Sequence, residues 1–291
     1  MKIAVIGAGY VGVGVVLAVA KEHQVVFVDI DEDKIKRINE GHSPILDDKV
    51  EVFFNENKEH LSATKDLGSA IKDATYCFVC VPTPYNEELG RLDTLLIASI
   101  LSQISSLKIA KTPQILIRST LNIEDGDVFA ASYPSLSITV MPEFLREKYL
   151  YEDALSPSRI ILGGEDRSAM ETFLGVYTAG LVKGPIYMFV SRKEATMIKL
   201  MSNSYLATRV AFFNEVDSLA ETHGLDSRTI IRGMGLDPRI GDYYNVPSSG
   251  FGGKCLPKDL AAAIAAMKQA GLEQTLLAAV ETSNEIRKSK K

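Results

Sequence analysis

The 291-residue sequence predicts a doubly wound α/β domain with a parallel sheet over residues 1–190, followed by an all-helical region over 191–291 built on one long helix. Three observations carry this. Apolar runs without polar alternation recur through the first part, as in strands buried on both faces. Amphipathic stretches of helical period separate them, which is the mark of βαβ units. From 192 to 223 there is no helix breaker at all.

Residues 2–7 (KIAVIG) form the first strand, and similar runs recur at 25–28, 76–81, 115–117, 138–140 and 160–162. Helical stretches at 31–40 and 95–107 lie between them. In the long helix Ile198, Met201, Tyr205, Phe212, Val216 and Leu219 recur at helical spacing, and Gly224 is its stop. About 30 residues at 1.5 Å each make ~45 Å, too long for one sheet-covering helix. It reads as a spine that joins domains or pairs subunits. Shorter helices are expected near 227–233 and 258–270, with a Gly-, Pro- and Asn-rich loop over 235–257 between them.

With 32 Lys and Arg against 37 Asp and Glu, the formal charge is −5. Such a chain lacks the basic footprint that nucleic-acid binding needs. Three Cys do not make a disulfide framework, and no apolar run is long enough to span a membrane. The apolar N-terminus resembles a signal peptide, but its single Lys2 is a thin charged region and its glycines have a better explanation. The expected location is the cytoplasm.

Those glycines are Gly7-Ala8-Gly9-Tyr10-Val11-Gly12, a G-x-G-x-x-G between a strand and an apolar helix. The first permits a tight turn, the second a close approach to a pyrophosphate, the third close helix–strand packing. Asp29 ends the second strand, where an acid grips ribose hydroxyls, so the cofactor reads as NAD rather than NADP. Lys34 follows one helical turn later, within reach of ribose or phosphate. Thr83 (in CVPTP) and Thr120 (in RST) end two further strands, where hydroxyls serve either cofactor contacts or helix caps.

Glu143 and Glu147, in PEFLRE, are spaced i,i+4; if that segment is helical they face one way, as a catalytic pair or simply an answer to the helix dipole. Lys199 and Asn203 share the same spacing on the long helix. A helix lysine is usually solvated, and periodicity leaves the face of Lys199 open. Cys255 follows three glycines within four residues, at the start of a predicted helix and between Lys254 and Lys258. That environment favours a thiolate nucleophile over an inert buried thiol. Asp259, four residues on, could orient a lysine or a water. Cys77 and Cys80 sit on a strand with side chains on opposite faces, and no metal site is expected.

These segments resemble a known family, the nucleotide-sugar 6-dehydrogenases. GAGYVG, CVPTP, IRST, PEFLRE, PSRIILG, EATMIKLMSNSYLATRVAFFNEV, GLDPRIGDYYN and GFGGKCLPKD follow in order over nearly the whole chain. The last three are particular to the family, and PEFLRE and CLPKD match its UDP-glucose branch best. The resemblance implies NAD-dependent oxidation of the C6 hydroxymethyl of UDP-glucose to a carboxylate, without a metal. It implies Cys255 as the nucleophile that carries an aldehyde adduct and then a thioester. Lys199 and Asn203 would stabilise the oxyanion, Asp259 with Thr120 and a water would take the alcohol proton, and Glu143 would activate the hydrolytic water.

Implied cofactor contacts are Gly7, Gly9, Tyr10, Val11, Gly12, Asp29, Lys34, Thr83, Thr120, Glu147 and Lys258. Implied sugar-nucleotide contacts are Glu143, Phe144, Leu145, Glu147, Lys199, Asn203, Arg239, Tyr244, Asn245, Ser249, Phe251 and Gly252. Arg239 matches a residue that members contribute from a neighbouring subunit, which implies a homodimer through the long helix. The sequence departs from the family pattern at Arg118, at Leu121-Asn122-Ile123 and at Lys254. Members continue into a second Rossmann-like domain, and the charged helical pattern over 285–291, without a closing signal, reads as a chain cut before it.

Alternatives remain at this point. The sugar could be UDP-N-acetylmannosamine or GDP-mannose, although a His before the Cys would be expected in the acetamido branch. β-Hydroxyacid dehydrogenases share the glycine motif and a helix lysine but lack a nucleophilic cysteine. A non-catalytic NAD-binding dimer is opposed by the intact set Glu143, Lys199, Asn203, Cys255 and Asp259.

Overall fold

The computed structural model describes residues 1–289. It divides into two compact units: Met1–Thr83 with Asp93–Met197, and Pro84–Leu92 with the chain from Ile198 onward.

The first unit alternates strand and helix. In chain order it holds β1 (Lys2–Ile6), α1 (Tyr10–Val19), β2 (Gln24–Val28), α2 (Glu32–Asn39), α3 (Asp48–Glu56), β3 (Leu61–Thr64), α4 (Leu67–Ile71) and β4 (Tyr76–Val79). The short strands β5 (Tyr85–Asn86) and β6 (Arg91–Leu92) then belong to the second unit. Back in the first come α5 (Leu95–Ser106), β7 (Gln114–Ile117), α6 (Asp125–Ser132), β8 (Ile138–Val140), α7 (Leu150–Leu155), β9 (Arg159–Gly163), α8 (Arg167–Thr178) and β10 (Ile186–Val190).

The sheet runs β10-β9-β8-β7-β4-β1-β2-β3. Its six strands from β3 to β8 are parallel, in the order 3-2-1-4-5-6 of a dinucleotide-binding fold when counted within the sheet. β9 pairs antiparallel to β8, and β10 follows β9 in parallel. The doubly wound sheet expected from the sequence is therefore present, extended by two reversed strands. Every residue of β4 and β8 is buried, which accounts for their unbroken apolar runs. Helix α1, buried from Gly12 to Val19, is apolar all round for the same reason. On one part of this core Phe173 packs its ring 5.2 Å from Tyr76 and 5.7 Å from Phe78. Burying such a side chain contributes about 2–3 kcal/mol.

The second unit is helical apart from the β5–β6 hairpin, which packs on α11 (Leu256–Gln269). Its spine is α9 (Arg192–Thr222), whose first residues belong to the first unit; α10 (Ser227–Gly235) and α12 (Thr275–Ser289) complete it. Gly224, in the left-handed region at φ 66°, ends the spine, and the Leu225 N–H closes back on the Ala220 carbonyl at 2.9 Å. Ala207, Val210 and Ala211 of α9 meet Leu260 and Ala263 of α11 and Leu277 and Val280 of α12. Of the charged stretch expected over 285–291, residues through Ser289 continue α12; 290 and 291 lie outside the described residues. Among the described residues no helix is long and apolar enough to cross a membrane.

Candidate active site

In the first unit the strand order reverses at β1 and β4, and the glycine turn sits at the carboxyl end of β1. Gly7 adopts φ 102°, and a Cβ there would lie 2.7 Å from the Cys80 carbonyl oxygen. A Cβ on Gly12 would come within 2.0 Å of the Gly7 carbonyl, so only glycine lets α1 start against β1. Gly9 differs: its Cβ would meet nothing within 4 Å. It is the N-cap of α1, with no side-chain cap and no acidic residue in the first turn, which leaves the backbone N–H groups of Tyr10, Val11 and Gly12 available for an anion. Asp29 accepts from the Ala8 N–H at 2.7 Å and the Asp31 N–H at 3.0 Å, tying the end of β2 to the glycine turn. Lys34 follows, half-buried, in the first turn of α2. These residues fit a dinucleotide pyrophosphate and its ribose.

The ends of β4 and β7 are joined by Ser119, whose hydroxyl donates to the Val81 carbonyl at 2.7 Å. Thr83 is buried and Thr120 half-buried beside that link. Cys77 and Cys80 are buried, and burial pushes the Cys80 thiol up to about 12, so neither is a nucleophile.

After β8 the chain forms a loop rather than a helix over 141–146, with a single 3-10 turn at Glu147–Tyr149. The conditional reading of Glu143 and Glu147 on one helix face is thereby corrected. Glu143, 6% exposed, turns its carboxylate onto the Leu145 N–H at 2.7 Å, and this local bond replaces helical pairing. Phe144 lies under the Arg159 guanidinium, 3.8 Å from ring centroid. Arg146 clamps Asp153 with a forked pair at 2.9 and 2.7 Å. Leu145 occupies the space beside Gly14, where a Cβ would stand 2.7 Å from its Cδ1. Burial first, and then the facing Glu147 carboxylate, push the Tyr10 hydroxyl up, so the exposed Glu147 sits opposite the first residue of α1.

In the second unit Lys199 and Asn203 project from one face of α9, and both are buried, at 4% and 8% exposure. Periodicity alone leaves that lysine open; packing resolves it. Asn203 Nδ2 donates to Asp259 Oδ2 at 2.6 Å, and Lys258 Nζ to Asp259 Oδ1 at 2.5 Å. Asp259 is wholly buried, and its backbone N–H closes the first turn of α11 on the Cys255 carbonyl at 3.0 Å. Cys255 itself is the exposed N-cap residue of α11. An exposed thiol at a helix N-terminus is in a setting that favours the thiolate, the form that can act as a nucleophile.

The loop leading to it is held by residues invisible to pattern reading. Arg209 of α9 donates to the carbonyls of Tyr243 at 2.8 Å and Ile240 at 3.0 Å, and to Asn245 Oδ1. Asn245 is buried and returns a bond to the Gly241 carbonyl at 2.6 Å, while Tyr244 takes the left-handed conformation at φ 55°. Asn284 of α12 pairs with the backbone of Phe251. The Phe251 side chain lies in the helical core and its backbone N–H and carbonyl are both taken by Asn284, so any sugar-nucleotide contact there falls to Gly252. Asn245 and Ser249 line a cavity of about 730 Å³ with Arg228, Arg232 and Arg287. Arg239 is 88% exposed on its side chain and forked onto Asp237. Among the described residues no group of three or more His, Cys, Asp or Glu could hold a metal ion.

Residues 1–180 match the NAD binding domain of the UDP-glucose/GDP-mannose dehydrogenase family, and residues 193–286 its central domain. The chain belongs to this family. It is 40% identical to a UDP-glucose 6-dehydrogenase of Campylobacter jejuni over 99% of its length, covering 73% of that protein. It is 37% identical to a UDP-glucose 6-dehydrogenase of Streptococcus pneumoniae, with 99% and 74% covered. The fold is that of a UDP-glucose dehydrogenase from Pyrobaculum islandicum, with a TM-score of 0.90 and 29% identity over 98% of this chain and 68% of that one. The chain thus spans about three quarters of the length of these curated relatives. It is an NAD-dependent oxidoreductase of the nucleotide-sugar dehydrogenase family, and the glycine turn of α1 with Asp29 is the part of it that fits NAD.

Proposed function

We propose that the chain oxidises the C6 hydroxymethyl of UDP-glucose to a carboxylate, through a thioester on Cys255. The observation that carries this reading is Cys255 at the N-terminus of α11, one turn before an Asp259 already clamped by Asn203 and Lys258. The names of the relatives support the sugar. Two hydrides leave C6, one as the alcohol becomes an aldehyde and one as the thiol adduct becomes a thioester, and two NAD molecules held in succession at the glycine turn would supply the acceptor for each. Asp259, with Thr120 and a water, accepts the alcohol proton. Cys255 Sγ then adds to the C6 aldehyde carbon, and the charge on the adduct oxygen is met by the Lys199 ammonium and by the amide N–H that Asn203 does not spend on Asp259. Loss of the second hydride from C6 turns this thiohemiacetal into a thioester, and Glu143 activates the water that hydrolyses it, releasing the carboxylate and the thiol.

We further propose that the chain works as a homodimer through α9, in the cytoplasm, where a catalytic thiol stays reduced. Met201, Tyr205, Phe212 and Leu219 fall within one narrow stripe of α9 and are 44–63% exposed, an apolar seam suited to a second copy. Arg239, far into solvent on its own subunit, would then serve the partner's substrate.

NADH release with UDP-glucose limiting tests the reaction. Two NADH per sugar are expected from the native chain, and a slow or stalled reaction from Cys255→Ser. Full turnover by Cys255→Ser would exclude the thioester route, and NADH with GDP-mannose alone would reassign the sugar. Phe212→Asp is expected to yield monomers in sedimentation analysis; an unchanged mass would remove the α9 seam.

A further inference from the structure

We propose that Asn284 is a positioning residue for Cys255, acting through the backbone of Phe251. The proposal rests on Cys255 being the nucleophile. Asn284 is 2% exposed, yet its amide does not serve its own helix. Its Oδ1 accepts from the Phe251 N–H at 2.7 Å, and its Nδ2 donates to the Phe251 carbonyl at 3.0 Å, 33 residues away in sequence. One side chain thus satisfies both polar groups of a residue buried in the helical core, where neither could find water.

The fit is close on the neighbouring residue too. Gly250 adopts φ 108°, and a Cβ there would press on Asn284 Oδ1 at 2.9 Å. Just upstream, Ser248 is gripped in the same manner: its N–H donates to Asn214 Oδ1 at 2.7 Å and its carbonyl accepts from Arg287 Nε at 2.9 Å. Between the Phe251 anchor and Cys255 lie only Gly252, Gly253 and Lys254, and a Cβ on either glycine would touch nothing within 4 Å. That span has no hold of its own from side-chain packing at the glycines. Its downstream end is set by α11, where Asp259 is tied to Asn203. Its upstream end is set by Asn284. The amide therefore fixes where the span leaves the core and so the direction from which the thiol is presented.

The test uses the whole chain and two variants. Iodoacetamide reads Cys255 without any substrate, because Cys77 and Cys80 are buried. Asn284→Ala is expected to change the Cys255 alkylation rate by at least about threefold and to lower kcat/KM about tenfold, as looser positioning of a reacting group does. NAD affinity, a property of the glycine turn, is expected to stay at the native value. In Asn284→Asp the neutral acid can still accept from Phe251 N–H and donate to its carbonyl, whereas the carboxylate cannot donate. Its kcat/KM relative to the native chain should recover as pH falls and drop as pH rises.

An Asn284→Ala chain that alkylates and turns over like the native one overturns the proposal, and so does an Asn284→Asp ratio that is flat with pH. A parallel fall in NAD affinity also overturns it, since that marks a general loss of structure. If the alanine variant does not fold, the pH ratio of the aspartate variant decides. Failure of the native chain to oxidise UDP-glucose would count against the substrate alone, and the alkylation comparison would still decide the role of Asn284.

Discussion

Replacing Gly9 by Ala separates what the glycine turn does for the fold from what it does for NAD. At φ −97° and ψ −171°, Gly9 is in extended backbone open to any residue, and the new Cβ meets nothing within 4 Å. A less flexible unfolded chain favours the variant by about 0.4–1 kcal/mol. A poorer N-cap opposes it by a similar amount, about 0.5–1 kcal/mol. The unfolding midpoint of the NAD-free protein should thus stay within about 3 °C of the native one. A pyrophosphate, however, must come to that open side to reach the α1 N–H groups. A methyl that denies it one charge-assisted hydrogen bond costs about 1.5–3 kcal/mol, or roughly 10- to 150-fold in Kd. Calorimetry measures both quantities, one by scanning without NAD and one by titration with it. Gly12→Ala is the control, because its Cβ would overlap the Gly7 carbonyl at 2.0 Å and should lower stability and affinity together. Native NAD affinity in Gly9→Ala would refute the assignment of this turn to the pyrophosphate. A loss of stability equal to that of Gly12→Ala would refute the steric reasoning.

Asp259→Asn leaves the Lys258 ammonium, 21% exposed on its side chain, facing a neutral amide in place of a buried carboxylate; urea unfolding should show a loss of about 3 kcal/mol, and a change under about 0.5 would mean the pair is not a structural one. Hydrogen bonding from Ser227, with help from Arg287, holds the Asp217 carboxyl below its ordinary range. Its contribution to stability is therefore complete above the unfolded value of ~3.9 and disappears as pH falls through the lower folded value. Asp217→Asn should flatten that acid limb of stability against pH, and an unchanged limb would assign it to other carboxylates. Arg159→Met removes the cation over Phe144 and should raise the KM for UDP-glucose about 2- to 30-fold with NAD affinity intact; equal effects on both ligands would mean the stack supports the whole domain rather than the loop.

Much of the first unit was readable because its signals are local. Unbroken apolar runs announce strands buried on both faces, and glycine spacing announces a turn whose sterics need nothing beyond β1, α1 and the adjacent Cys80 carbonyl. The strands that pattern reading passes over are exposed or short. β3 is buried only at Leu61, β5 and β6 have two residues each, and β10 lies at the sheet edge with Ile186 75% exposed. Glu143 and Glu147 have helical spacing, but the Leu145 N–H captures the first carboxylate and the segment turns instead. Lys199 is buried because α9 is covered from outside its own sequence window, which periodicity cannot register. Arg209 and Asn284 act on backbone more than 30 residues away, so no spacing within a motif points to them.

The contact between Leu145 and Gly14 has a consequence for design. Gly14 plays no part in the turn at 7–12, yet its missing Cβ is filled by a side chain two residues from Glu143. A cofactor helix grafted from another dehydrogenase, with alanine at that place, would push directly on the loop that carries this carboxylate. Shrinking residue 145 in the same clone should restore tolerance, so libraries aimed at cofactor preference need positions 14 and 145 varied jointly.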